Sequence, residues 1–316
     1  MQHLSSLIEP QYDRYTLFPF SLVESLIAIF HDRGVVFECF SDQQISANEC
    51  QSNIKYQEEY TLWKTGFCFF PLQIAATTLC RIALRDERMA AMTRIFALRQ
   101  PRTPTVILHH DADRQPHKTL DMMHLESKLG VISSNYFFVK RCARWLGDEE
   151  LYDVDFNALQ KLEKNGFEIG YHCNAMEQSG YNTLRALEIA NSDIEMLQSH
   201  HLNIRTFVPH GGVPGAGGLN NEHTPYSGRL ADLVWAYNCR GFLNDVSWSD
   251  GYAESPIIPG NDQFRLKDPR VVAASLKGRM RGHFLLHPQY YGHTLRPDWE
   301  SFAISQQKWW RNLWNV

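Results

Sequence analysis

Several patterns that mark particular classes of protein are absent from this sequence. Only seven cysteines occur among 316 residues, and no two are spaced as Cys-x-x-Cys, which argues against a disulfide scaffold and favours reduced thiols. There is no run rich in Lys and Arg, and the formal net charge is −4, so nucleic acid is not an expected partner. The first residues lack the basic start and apolar core of a signal peptide. We therefore expect a cytoplasmic protein.

Long hydrophobic runs are missing as well. The most apolar stretch, residues 66–80, is shorter than a usual membrane span and is interrupted by Pro71 and Gln73. We predict that it forms a buried helix or a lid over a substrate site, and that the protein has no membrane span. Residues 1–100 are interpreted as a mainly helical N-terminal extension that packs on a catalytic body formed by residues 101–316.

From residue 105 onwards the chain alternates between strand-like and helical segments. Strand-like runs are found at 105–113, 135–140, 167–172 and 206–210, and helical patterns separate them at 117–129, 155–166 and 182–199. The last of these helices is expected to turn Leu184, Leu187, Ile194 and Leu197 towards the core. Such alternation favours a parallel sheet, and ligands of such sheets gather beyond the carboxyl ends of the strands.

The stretch around which the chain is organised is 105–113, Thr-Val-Ile-Leu-His-His-Asp-Ala-Asp. The alternation of a strand places His109, Asp111 and Asp113 on one side, so that two carboxylates converge. Two like charges at such a distance need a compensating cation, and a divalent metal supplies it, with one carboxylate as ligand and the other as base. The alternative is a strand-end Asp followed by an Asp that caps the next helix.

Two histidines end the strands that follow. His172 and His210 complete a set of one carboxylate and two imidazoles, which suits zinc and leaves open positions for water and substrate; iron, cobalt and nickel are the alternatives. A single strand-end histidine is more often a hydrogen-bonded core residue. Because the later carboxylate extends further past its strand, we expect Asp113 to be the metal ligand and Asp111 the general base.

The order of these motifs resembles the polysaccharide deacetylase superfamily, and most closely its branch with a His-Asp-Val-Asp signature. The similarity covers roughly residues 102–292 and lies in five motifs, at 110–113 (His-Asp-Ala-Asp), 135–138 (Asn-Tyr-Phe-Phe), 168–172 (Glu-Ile-Gly-Tyr-His), 207–210 (Phe-Val-Pro-His) and 285–288 (Leu-Leu-His-Pro). Membership would imply an α/β fold of the distorted (β/α)7 barrel type and metal-dependent hydrolysis of an acyl group on a sugar. It would assign Asp113, His172 and His210 to the metal, Asp111 to the base and His287 to the general acid.

The sequence departs from the family pattern at two places. Met176 stands where many members have a second metal-binding histidine, so His210 must complete the site. The third motif does not show the usual group that orients the catalytic base. Arg114 and Arg229 are candidate substitutes, with ordinary surface ion pairing as the alternative for each. His110 either supports the site or is simply a packed strand residue.

Two aromatic segments near the C-terminus are candidate surfaces for a sugar or a second subunit. In residues 244–252, Trp248 and Tyr252 would stack on a sugar ring and Asp245 or Asp250 would accept hydroxyl hydrogen bonds, with turn and core roles as the alternative. Residues 297–316 are predicted to form a helix whose aromatic side packs on the barrel, or an interface in a homo-oligomer.

These features favour a metal-dependent carbohydrate deacylase, a hydrolase of C–N bonds other than peptide bonds. The expected partner is a small amino sugar carrying an acetyl or formyl group, and the missing secretion signal favours a nucleotide-linked precursor of a surface polysaccharide. One alternative is a non-catalytic carbohydrate-binding barrel, against which Asp111 and His287 argue. Another is a metal phosphoesterase, which would need more cationic groups around a phosphate.

Overall fold

The structure is a computed structural model that describes residues 18–42, 103–139, 152–211, 218–236, 246–250, 268–278 and 280–292. The predictions made for residues 66–80, for 297–316, for Asp245 and for Tyr252 lie outside these ranges. Within them, no helix has both the length and the apolar character that crossing a lipid bilayer requires.

In the described ranges, ten strands form two parallel sheets. In chain order they are β1 (Phe18–Pro19), β2 (Val36–Phe37), β3 (Thr105–Ala112), β4 (Ser134–Phe137), β5 (Glu168–Cys173), β6 (Thr206–Pro209), β7 (Val234–Trp235), β8 (Val246–Ser249), β9 (Arg281–Leu286) and β10 (Tyr291–Gly292). The larger sheet has the order β7-β6-β5-β4-β3-β9-β8, and β2 also pairs with β3. The smaller sheet is the pair of β1 and β10. The larger sheet is curled like half a barrel, so the expected mixed α/β class is confirmed and the shape is compatible with a distorted barrel.

Six α-helices lie among these strands in the described ranges: α1 (Phe20–Asp32), α2 (Pro116–Lys128), α3 (Phe156–Lys164), α4 (Ala175–Gln178), α5 (Thr183–Ser199) and α6 (Pro269–Ala274). The side chain of Asp155 accepts a hydrogen bond from the backbone N–H of Ala158 and begins α3, as its sequence position predicts. Gly130 and Gly166 follow α2 and α3 with φ of 73° and 98°, a backbone conformation that glycine adopts without a steric penalty.

The buried face of α5 differs from the expected one. Leu184 is 76% exposed, whereas Ala186, Ala190, Ile194 and Leu197 are buried against the sheet. Two residues correspond to about 200° around a helix, so Leu184 lies almost opposite Ala186. The two alanines at four-residue spacing define the packed face, and the prediction that Leu184 belongs to the core was wrong.

Strand β3 lies at the centre of the larger sheet. One edge pairs with β9 along Thr105 to His110, and the other edge pairs first with β2 and then, from His109, with β4. Alternate side chains of the strands line one side of the sheet, here called the inner side, where Ile107, Tyr136 and Val208 pack together with Phe40. The opposite side packs against the helices, including α1. The described part of the N-terminal region therefore packs on the same body as the sheet, while the domain boundary at residue 100 stays a prediction.

Candidate metal centre and catalytic site

Three strands deliver metal-ligating side chains to the carboxyl end of the sheet. Asp113 directly follows β3, His172 is the last but one residue of β5, and His210 directly follows β6. One ligand atom from each lies within 4.8 Å of the other two. One carboxylate oxygen and two imidazole nitrogens form a set that binds zinc and related divalent ions, so these residues fit a single metal ion.

The hydrogen bonds of the two histidines leave one ring nitrogen of each for a ligand role. Nδ1 of His172 lies 3.0 Å from the carbonyl oxygen of Val208, and Nδ1 of His210 lies 3.2 Å from Oε2 of Glu177. Carbonyl and carboxylate oxygens only accept, so both Nδ1 atoms carry the proton and both Nε2 atoms point towards Asp113. The ring of Phe138 stacks on His172 at 4.6 Å and meets His210 edge-on at 5.4 Å, which fixes the orientation of both rings.

The electrostatics of the ligand set favour a cation. Nε2 of His172 lies 2.8 Å from Oδ1 of Asp113, and Nε2 of His210 lies 3.8 Å from the same oxygen. Burial would lower the pKa of His172, but Asp111 and Asp113 outweigh it and raise that pKa above its usual value. Burial would likewise raise the pKa of Asp113, but His210, His172 and His287 bring it below the ordinary range. The negative field of Asp111 and Asp113, which the raised pKa of His172 reveals, would also attract a divalent ion.

Asp111 lies on the inner side of β3, beside the ligand set. It is 4% exposed, and burial alone would raise its pKa. The imidazoles of His109, His172 and His287 more than compensate and hold the pKa of Asp111 well below its usual value. Its carboxylate is therefore ionised, which is the state from which a general base accepts a proton.

His287 directly follows β9 and faces the same group. Its Nε2 lies 3.6 Å from Oδ2 of Asp113, and its Nδ1 lies 2.5 Å from Oδ1 of Asp250. Although burial opposes the charged form, Asp250 and the two aspartates of the site raise the pKa of His287 to about 10. A protonated imidazole in this position is suited to donate a proton to a leaving group.

The structure gives Asp250 and Trp248 roles other than the expected contacts with substrate. Asp250 is fully buried, and its two oxygens accept from the Nδ1–H and the backbone N–H of His287. Trp248 is 5% exposed and packs near the ring of Phe284 on the side of β8 away from the site. Asp250 therefore orients His287, and Trp248 is a core residue, because the alternation of β8 turns its ring away from the inner side.

Three residues were considered from the sequence as supports for the site, and the structure places each of them differently. Arg229 is a surface residue that contacts Glu195 and Gln198, so the alternative of ordinary ion pairing holds. Arg114 is buried immediately after Asp113. His110 lies 2.7 Å from Glu126 of α2 on the opposite side of β3, so it is a packed residue that joins strand and helix.

Sequence reasoning did not identify two residues that contact the site. Glu177 lies in the short helix after β5 and accepts from His210, and Nε2 of Gln289 lies 3.4 Å from Oδ2 of Asp113. Neither follows a strand end, and neither belongs to a spacing pattern, so no local signal points to them.

Comparison of the chain with family models, curated proteins and solved structures finds no match.

Proposed function

We propose that the protein is a metal-dependent hydrolase that removes an acyl group from the nitrogen of an amino sugar. The observation that carries the proposal is the arrangement at the end of the sheet. A ligand set of Asp113, His172 and His210 is flanked by an ionised carboxylate, Asp111, and by a protonated imidazole, His287.

The residues of the chain divide the work of such a reaction. Asp113, His172 and His210 would hold the ion, which would polarise the acyl carbonyl and the attacking water when bound. Asp111 accepts a proton from that water as its oxygen attacks the acyl carbon. Nε2 of His287 donates its proton to the departing amine, and Asp250 keeps the ring in place for that transfer. The products are a carboxylic acid and a free amino sugar.

The substrate and the metal are narrower parts of the proposal. An acetyl or formyl amino sugar is supported by the resemblance of the five motifs to sugar deacetylases, and a nucleotide-linked precursor in the cytoplasm is its most specific form. Zinc is the metal that best suits two imidazoles and one carboxylate, with iron, cobalt and nickel as alternatives. A paired acid and base distinguish this proposal from a non-catalytic carbohydrate-binding barrel.

The test combines metal analysis with a substrate screen. We expect the purified protein to retain about one transition-metal ion per chain after dialysis. We also expect it to release acetate or formate from at least one acetylated or formylated amino sugar, and a chelator should abolish this release. Stoichiometric metal in a protein carrying both His172→Ala and His210→Ala would overturn the metal site. A metal-loaded protein that binds an acylated sugar without turnover would instead support the non-catalytic alternative.

A further inference from the structure

Two buried histidines lie beneath Asp111 on the inner side of the sheet. His109 belongs to β3 and His283 to β9, and these strands are neighbours. Nε2 of His109 lies 2.7 Å from Oδ1 of Asp111, and Nδ1 of His109 lies 3.1 Å from Nε2 of His283. The exposed fractions of His109 and His283 are 1% and 0%. The three side chains therefore form a continuous buried row that ends at the candidate base.

The chemistry of imidazole gives this row a direction. A neutral imidazole has one N–H donor and one acceptor nitrogen. Nε2 of His109 and Oδ1 of Asp111 are in ion-pair contact, without the alignment of a hydrogen bond. If Nε2 carries a proton towards this carboxylate, Nδ1 must accept, and the donor to it must be Nε2–H of His283. This assignment places an N–H group of His109 against the carboxylate of Asp111, whose oxygens only accept.

The surroundings of His109 prevent its ring from turning away. Phe40 meets it edge-on at 5.4 Å and Tyr136 at 4.9 Å, and the ring of His283 lies at 5.3 Å. His109 therefore holds Oδ1 of Asp111 in one place.

We propose that His109 is the positioning residue of Asp111 and that His283 keeps His109 in the required tautomer. The proposal rests on the proposed function, since it assumes that Asp111 is the base. His109 and His283 would then orient the catalytic base, the role for which the sequence offered Arg114 and Arg229 as candidates. The competing view is that two histidines merely fill the inside of the sheet.

The experiment compares His109→Phe, which keeps the ring shape without a donor, with His110→Gln as the matched control. His110 is equally buried on the same strand but contacts Glu126 on the other side. With para-nitrophenyl acetate as the probe, we expect His109→Phe to lower kcat about 10- to 100-fold with unchanged KM and unchanged metal content. His110→Gln should leave kcat within about twofold, whatever it does to stability.

A double variant separates positioning from packing. If His109 acts through Asp111, adding His109→Phe to Asp111→Asn should cost no further activity. Full multiplication of the two losses, loss of metal in His109→Phe, or an unchanged kcat in that variant would each overturn the proposal.

A spectroscopic measurement keeps the two proposals distinguishable. Nitrogen NMR of ring-labelled histidine reports the tautomer of each imidazole, with His109→Phe providing the assignment. We expect His109 as the Nε2–H tautomer, with a signal that shifts in Asp111→Asn and not in His110→Gln. An Nδ1–H tautomer would overturn the inference. Absence of turnover on every probe, with the expected spectrum, would overturn the proposed function and leave the contact between His109 and Asp111 supported.

Discussion

At the carboxyl end of the sheet Asp111 and Asp113 lie among imidazoles, whereas at the amino end Glu168 lies among hydroxyl groups. Ser134 donates to Oε2 of Glu168 at 2.6 Å, and Thr206 donates to Oε1 at 2.7 Å. Asp111 and Glu168 are almost equally buried, at 4% and 5% exposure. Burial therefore does not distinguish the two ends, and the character of the neighbours does.

The net shifts of the two pKa values have opposite directions, although the neighbours of each group lower its pKa. Burial raises the pKa of Glu168, and the hydroxyl groups of Ser134 and Thr206 only partly compensate. Burial acts on Asp111 in the same sense, but the surrounding imidazoles reverse it and lower the pKa. Imidazoles surround the carboxylates at the end of the sheet where chemistry is expected. At the other end, neutral donors make the side-chain hydrogen bonds of a carboxyl group that joins three strands, and Arg205 acts on it only through its charge.

Among the changes that test this difference between the two ends of the sheet, removal of the ligand carboxylate should have the largest effect. Asp113→Asn should lose the metal ion and all measurable activity, because an amide oxygen is a weaker ligand for a transition metal than a carboxylate. Elemental analysis after dialysis checks this. Glu168→Gln is the matched change at the other end, and it should keep a full complement of metal. Retention of metal by Asp113→Asn would show that Asp113 is not a ligand.

Asp111→Asn tests the second carboxylate of the same end. It should retain metal and lose about 10²- to 10⁴-fold in kcat, the usual cost of losing a positioned general base. Steady-state kinetics on the amino sugar identified by the screen, together with metal content, provide the measurement. If Asp111→Asn lost the metal while Asp113→Asn kept it, the two roles would have to be exchanged.

His287→Ala tests the proton donor and should separate two kinds of substrate. It should retain metal but lose about 10²- to 10⁴-fold in hydrolysis of an amide, whose amine departs only when it is protonated. Hydrolysis of para-nitrophenyl acetate should fall much less, because nitrophenolate departs without a proton. Equal losses on the two substrates would contradict a role for His287 as general acid. Asp250→Asn should show the same preference in a weaker form, since Asp250 acts only through His287.

Much of this site could be predicted from the sequence because its residues stand at the ends of regular elements. The alternation of β3 placed His109, Asp111 and Asp113 on one side, and the helices between strands indicated that His172 and His210 would reach the same end. These inferences need only the period of a strand and the parallel order of neighbouring strands.

The contacts that could not be predicted join segments far apart in the chain. His109 and His283 are separated by 174 positions, and they meet because β9 pairs with β3. Asp250 contacts His287 because β8 pairs with β9. No local pattern reveals which strand neighbours which. The sequence therefore indicated His109 and Asp250 but neither their contacts with His283 and His287 nor the orienting roles that those contacts suggest.

Gly170 lies midway between the two ends of β5, and its substitution tests how tightly the inner side of the sheet is packed. It lies between Glu168 and His172 on β5, and a Cβ atom there would stand 2.3 Å from Cε1 of Tyr136. We expect Gly170→Ala to lower the free energy of unfolding by about 1–3 kcal/mol, the usual cost of overpacking. Urea denaturation measures this. Gly211→Ala is the control, because no atom of the described residues lies within 4 Å of its added Cβ; an equal loss there would contradict the steric explanation.

The smallest expected effect is the pH dependence that Glu168 confers on stability. Because its pKa is raised in the folded protein, the folded state holds this proton more tightly than the unfolded chain does. The contribution of Glu168 to the free energy of unfolding is therefore fully present below its ordinary pKa of 4.5 and is lost as the pH rises through the raised value. Glu168→Gln has no proton to lose, so its loss of hydrogen bonds is the same at every pH.

Urea denaturation of both proteins should show the stability of Glu168→Gln, measured relative to the unaltered protein, increasing with pH across this window. The other titrating groups are common to both proteins and cancel in the difference. A flat or decreasing difference would mean that the hydroxyl groups of Ser134 and Thr206 stabilise the ionised carboxylate, and the contrast between the two ends of the sheet would then fail.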